Sequence, residues 1–103
     1  MELKKKDSCG IEIDYTEMVR LELLLQEAKI PYQMDYVMGM PSVRYYGHGD
    51  ELICDAICHR GSYGHEIGLL EIMGLTRNDD SVEGWLTSEE VFDRISEDWN
   101  KGN

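Results

Sequence analysis

The chain has no long hydrophobic run, few cations and no cysteine framework, and each shortage removes a class of function. No segment approaches the roughly 18 uninterrupted apolar residues that a membrane-spanning helix needs. The opening MELKKKDSCG follows its lysines with no apolar stretch, so neither a signal peptide nor a membrane anchor is expected. Only 10 lysines and arginines stand against 21 aspartates and glutamates, a formal charge of −11. That sign repels phosphate backbones, so direct nucleic-acid binding is not expected. The three cysteines, Cys9, Cys54 and Cys58, are odd in number and lack framework spacing. This argues against a disulfide-stapled secreted fold and for a reducing, cytoplasmic setting. Internal repeats and low-complexity tracts are missing as well, and no glycine-rich loop runs into Gly-Lys-Ser/Thr as a nucleotide-phosphate loop would. No cofactor is implied.

What is present suffices for one core. With 103 residues, 42% of them hydrophobic and 30% charged, residues 1–103 read as a single folded domain, residues 1–10 being a flexible arm. Met18, Leu21, Leu24, Leu25 and Ala28 recur at helical spacing, which predicts an amphipathic helix over about 14–29. Asp14 would cap it, Glu17 would complete the capping box and Pro31 would stop it. Leu23 and Val19 widen the apolar stripe, as in a helix covered on more than one side. After Pro31, tyrosine, valine and isoleucine between glycine-bearing turns predict strands at 32–37, 43–46, 51–59 and 65–73, with a brief fifth at 82–86. Such short connections demand antiparallel neighbours. Strand 51–59, apolar on both faces, should lie centrally. Segment 76–81 reads as an exposed, mobile loop. A second helix should start at Thr87, with Glu90 in the capping-box position and Leu86 stapled to Val91, and should fray after residue 99. The expected fold class is α+β, a four- to five-stranded antiparallel meander flanked by an N-terminal and a C-terminal helix.

Two groups of residues could carry function. The first is acidic: Asp79, Asp80, Glu83, Glu89, Glu90, Asp93, Glu97 and Asp98 crowd into 79–98 against Arg94 alone. Val91, Phe92, Ile95 and Trp99 would face inward, leaving the other side of the helix negative, as suits a basic protein partner. The second is the segment His59, Arg60, Ser62, Tyr63, His65 and Glu66, expected as a hairpin mouth that could hold a small ligand or a nucleotide. A hairpin closing through 60–64 would set His59 opposite His65 with Cβ atoms about 5 Å apart. Two imidazoles are an incomplete ligand set, and Cys54 and Cys58 on one strand lie about 13 Å apart at about 3.3 Å per residue. No metal site is therefore assigned, and both cysteines are expected in the core. Tyr32, Tyr36, Tyr45, Tyr46 and Tyr63, with Met34, Met38 and Met40, suit either core packing or an interface, a homodimer included.

The run Ile57-Cys58-His59-Arg60-Gly61-Ser62-Tyr63-Gly64-His65-Glu66-Ile67-Gly68-Leu69-Leu70-Glu71-Ile72-Met73-Gly74, followed by Gly84-Trp85-Leu86-Thr87-Ser88-Glu89-Glu90-Val91-Phe92, resembles small uncharacterised acidic proteins of Firmicutes phages and prophages. The resemblance covers about the last half of the chain and brings no catalytic residues with it. It implies a setting in the host-cell cytoplasm and an anti-defence role. The expected function is thus a non-enzymatic, anti-CRISPR-like inhibitor that acts as a nucleic-acid mimic on a basic, nucleic-acid-handling host protein such as a nuclease. The alternative is a ligand- or nucleotide-binding protein, or a small metal-dependent phosphodiesterase-like enzyme, centred on 58–66.

Overall fold

Local capping chemistry and short turns dictate most of the architecture. The computed structural model describes residues 4–6, 12–37, 40–59, 61–78 and 80–102. Strands β1 (Lys4–Lys6) and β2 (Glu12–Asp14) pair antiparallel, and α1 spans Thr16–Glu27. Then come β3 (Gln33–Val37), β4 (Met40–Tyr45), β5 (Cys54–Ile57), a 3-10 turn at His65–Ile67, β6 (Leu70–Met73), β7 (Val82–Leu86) and α2 (Ser88–Lys101). The sheet order β3-β4-β5-β6-β7, antiparallel throughout, is the expected meander with β5 at its centre.

Period-two alternation sends Val43, Tyr45, Cys54, Ala56, Leu70, Ile72 and Leu86 to one face. There they meet Met18, Leu21 and Leu25 of α1 and Val91 and Ile95 of α2 in one core, so both helices cover the same side of the sheet. The other side carries Asp35, Ser42, Arg44, Asp55, Ile57, Glu71 and Met73, with Asp35 paired to Arg44 at 3.3 Å. Cys54 and Cys58 are both buried, and burial pushes each thiol up to about 12. Cys9 lies outside the described residues.

Several expectations change. Helix α1 begins at Thr16, and Asp14 Oδ1 accepts from Thr16 N at 3.0 Å rather than from the third helical N–H. Glu17 forms no capping box; its Oε1 accepts from Ser88 N at 2.9 Å and so caps α2 from the neighbouring helix. The helix closes two residues early. Ile30 N donates to Leu25 O at 3.0 Å and Lys29 N to Gln26 O at 3.1 Å, with Lys29 at φ 59°, a Schellman close built on a lysine. Leu23 is 57% exposed, so α1 is covered on one side only. Lys4–Lys6 of the expected flexible arm is a strand, and the rest of 1–10 lies outside the described residues. At the other end, α2 continues through Lys101 instead of fraying after residue 99.

The largest correction falls between β5 and β6. Ile57 pairs with Glu71, so residues 58–69 form one long connection instead of a five-residue hairpin. Glycine is the reason: Gly64 at φ 100° and Gly68 at φ 76° bracket the 3-10 turn with backbone that a strand does not adopt. A Cβ on Gly64 would stand 3.1 Å from the Trp85 backbone, which fixes how closely the loop lies on β7.

Candidate functional site

The acidic site rests on the start of α2. Thr87 Oγ1 accepts from Glu90 N at 3.3 Å while Glu90 Oε1 accepts from Thr87 N at 3.0 Å, the reciprocal box that the sequence predicts. This cap fixes the helix register and places Glu89, Glu90, Asp93 and Glu97 on the exposed side, with Val91 and Ile95 buried beneath.

The eight acidic positions do not form one free face. Glu83 Oε2 accepts from Arg94 Nη2 at 2.8 Å, and its Oε1 accepts from Arg77 N at 2.8 Å. Glu89 pairs with Arg20 of α1, and its carboxyl is held below the usual range, first by the N–H at its own position in the first helical turn. Glu97 pairs with Arg77 at 3.0 Å. Asp98 Oδ2 accepts from the Tyr45 hydroxyl at 2.7 Å, and burial, reinforced by that bond, pushes the Tyr45 phenol upward. Asp80 is exposed in the β6–β7 loop, and Asp79 lies outside the described residues. That loop is closed by its own bonds, Thr76 Oγ1 to Asp80 O at 2.8 Å and Asn78 Nδ2 to Val82 O at 3.2 Å. What faces outward as a row is Glu90, Asp93 and Glu97. Arg77 holds Glu97 of this row, while Arg20, Arg44 and Arg94 hold carboxylates outside it, so among the described residues Glu90 and Asp93 are the members that no arginine offsets.

The 58–66 residues behave differently from the expected mouth. Ser62 is buried; its Oγ accepts from His59 N at 3.0 Å and donates to His59 O at 2.7 Å. The His59 ring contacts Pro41 O through Nε2, and His65 Nδ1 lies 2.6 Å from Ser62 O and 3.1 Å from Glu66 Oε1. The two imidazoles are therefore not cross-strand neighbours. Most polar atoms here hold the loop together, while Tyr63, at 61% exposure, and Glu66 face outward. Arg60 lies outside the described residues. Among the described residues no three His, Cys, Asp or Glu side chains are grouped to hold a metal ion.

Helix α2 starts at the end of the sheet where loop 58–69 enters β6, since Leu70 pairs with Leu86. It ends beside the β4–β5 turn, where His48 stacks on Trp99 at 3.7 Å. Loop and acidic row thus share only the start of the helix. Trp99, expected to face inward, is half-buried under that imidazole. At the same end a cavity of about 400 Å³ is lined by Tyr32, Tyr46, Gly47 and Asp50, outside both predicted groups.

Sequence reasoning missed the ionic cluster Glu83–Arg94 with Arg77–Glu97. Its signal was Arg94 itself, which falls between Val91 and Ile95 on the buried stripe and must there find a carboxylate. Among the described residues no helix is long and apolar enough to cross a membrane. In comparisons with known proteins, no family model, curated protein or solved structure matches the chain.

Proposed function

We propose that this chain is a non-enzymatic binding protein that sets the exposed carboxylates of α2 against a basic surface of a nucleic-acid-handling protein, a host nuclease among them. In a phage setting this makes it an anti-CRISPR-like inhibitor working in the host cytoplasm. The observation that carries the reading is the exposed row Glu90, Asp93 and Glu97, fixed in register by a complete cap and net negative because, among the described residues, only Glu97 is offset by an arginine, Arg77. Like charges three and four residues apart repel on a helix, so such a row works against the fold that displays it. A partner supplying lysines or arginines relieves that repulsion and gains salt-sensitive attraction.

The test titrates the full chain against purified nucleases and DNA-binding proteins with basic surfaces, at low and physiological salt. Association that weakens with salt and is blocked by competing DNA supports the reading. Failure of every basic partner to bind, at either salt, rejects it. The ligand-binding alternative at His59, Arg60, Ser62, Tyr63, His65 and Glu66 gains no comparable support, since the His59, Ser62 and His65 polar atoms are engaged within the loop.

A further inference from the structure

Two tyrosines and an unpaired carboxylate line one hollow. Pro31 and Tyr32 before β3, with Tyr46, Gly47, Gly49 and Asp50 of the β4–β5 turn, border about 400 Å³ of space. That is within the size range of small-ligand pockets. Strand register brings the two segments together, since Gln33 pairs with Arg44 and the chain just before β3 therefore runs beside the chain just after β4.

The Tyr32 ring is a fixed wall. Its hydroxyl accepts from Gln26 Nε2 at 2.8 Å and donates to Glu22 Oε1 at 2.9 Å, both on α1. Donation to a carboxylate pushes electron density toward the ring, which favours positive charge over its face. Tyr46 is half-buried across the hollow, and the two glycines add no side chains to fill it. Among the described residues no lysine or arginine lines the space. Arg44, whose side chain reaches the Tyr46 hydroxyl, is held by Asp35 at 3.3 Å with Asp55 close by. Asp50 is exposed, and no hydrogen bond or ion pair from the described residues reaches its carboxylate.

We propose that this hollow binds an organic cation, an alkylammonium or guanidinium group, which lies against the Tyr32 and Tyr46 rings with its charge answered by Asp50. Aromatic walls beside a carboxylate are the usual recognition chemistry for such cations, which are weakly hydrated and leave water at small cost. A hard metal ion would find one carboxylate and no second charged ligand, too few oxygens to replace its water. None of Glu90, Asp93 and Glu97 lines the hollow, so the site does not rest on the α2 row.

The test follows amide resonances of the full chain during titration with tetramethylammonium chloride and with guanidinium chloride below its unfolding range. Neutral isosteres, tert-butanol and urea, and sodium chloride at matched ionic strength serve as controls. Expected is a saturable shift confined to residues 32–33 and 46–50 with at least one organic cation and with none of the controls; whichever cation binds more tightly identifies the class. Asp50→Asn, at an exposed position, should weaken binding about threefold and leave the melting temperature unchanged. Tyr46→Leu should weaken it by a similar factor of about three, while Tyr46→Phe, which keeps the ring, binds as the parent does. Equal shifts from the neutral isosteres would overturn the proposal, as would non-saturating shifts with both cations or unaltered affinity in Asp50→Asn. A loss shared by Tyr46→Leu and Tyr46→Phe would assign the effect to the hydroxyl and overturn the ring contact.

Discussion

Reversing the central charge of the α2 row should strengthen the fold while it weakens binding. Asp93 is exposed, with Glu90 one turn before it and Glu97 one turn after it. On a helix, like pairs at these spacings cost about 0.2–0.5 kcal/mol each and opposite pairs gain a similar amount. Asp93→Lys converts two repulsions into two attractions and also installs a better helix former. The sum is about 1 kcal/mol at low ionic strength, taking the lower end because the site is open to water, and should raise the melting temperature by about 4–8 °C for a domain of this size. In about 1 M salt, where the Debye length falls to about 3 Å, most of that gain should vanish. Thermal unfolding followed by circular dichroism at the two salt concentrations measures this directly. The same variant should bind basic partners more weakly. A variant that melts at or below the parent in low salt would refute the repulsion argument, and undiminished partner binding would remove Asp93 from the interface.

Three further outcomes follow from packing. Gly74→Ala would place a Cβ 2.0 Å from Ile53 O at φ 88°, so backbone must move; unfolding should cost at least about 3 kcal/mol, read as a lowered urea midpoint. Glu17→Ala removes the carboxylate that caps α2 at Ser88 and should lower stability by about 1–2 kcal/mol, with a matching loss in Glu17→Gln only if the charge itself matters. In a Cys9→Ser background, Cys54 and Cys58 should resist a thiol reagent at pH 8 until the chain unfolds. Because both folded thiols titrate at about 12, above the ordinary thiol range, the unfolded chain loses those protons first. Stability should therefore hold below about pH 8.5 and fall as pH rises toward 12.

What could be read from sequence was what neighbouring residues determine. Thr87 and Glu90 specify their cap within one turn of chain, and short turns force an antiparallel meander wherever the strands end. The 58–69 loop escaped because Ile67, Leu69 and Met73 set against Leu70 and Ile72 look like a strand, whereas the sign of φ at Gly64 and Gly68 leaves no trace in hydrophobicity. Glu17 was misassigned because its partner, Ser88, lies 71 residues away, and a capping box was the nearest local use for that carboxylate. The acidic group was legible by density alone. Density could not separate Glu83, Glu89 and Asp98, which bind Arg94, Arg20 and Tyr45, from the row that faces outward.

That separation limits what the row can imitate. From Glu90 to Glu97 the helix rises about 10 Å at about 1.5 Å per residue, with three carboxylates over that length. A single strand of B-form DNA presents a phosphate about every 3.4 Å, so the row, with Glu97 already paired to Arg77, stands in for about two to three phosphates at lower charge density. A protein helix carries no condensed counterion layer to release. Binding to a basic partner through this row alone should then show a log–log salt slope no steeper than about −3, where extended DNA contacts reach about −10. Titration at four or five salt concentrations gives the slope. A value near −8 would mean that Asp80, Asp50, Glu51 or Glu66, all exposed and outside the row, join the interface, and the proposed face would have to be redrawn around them.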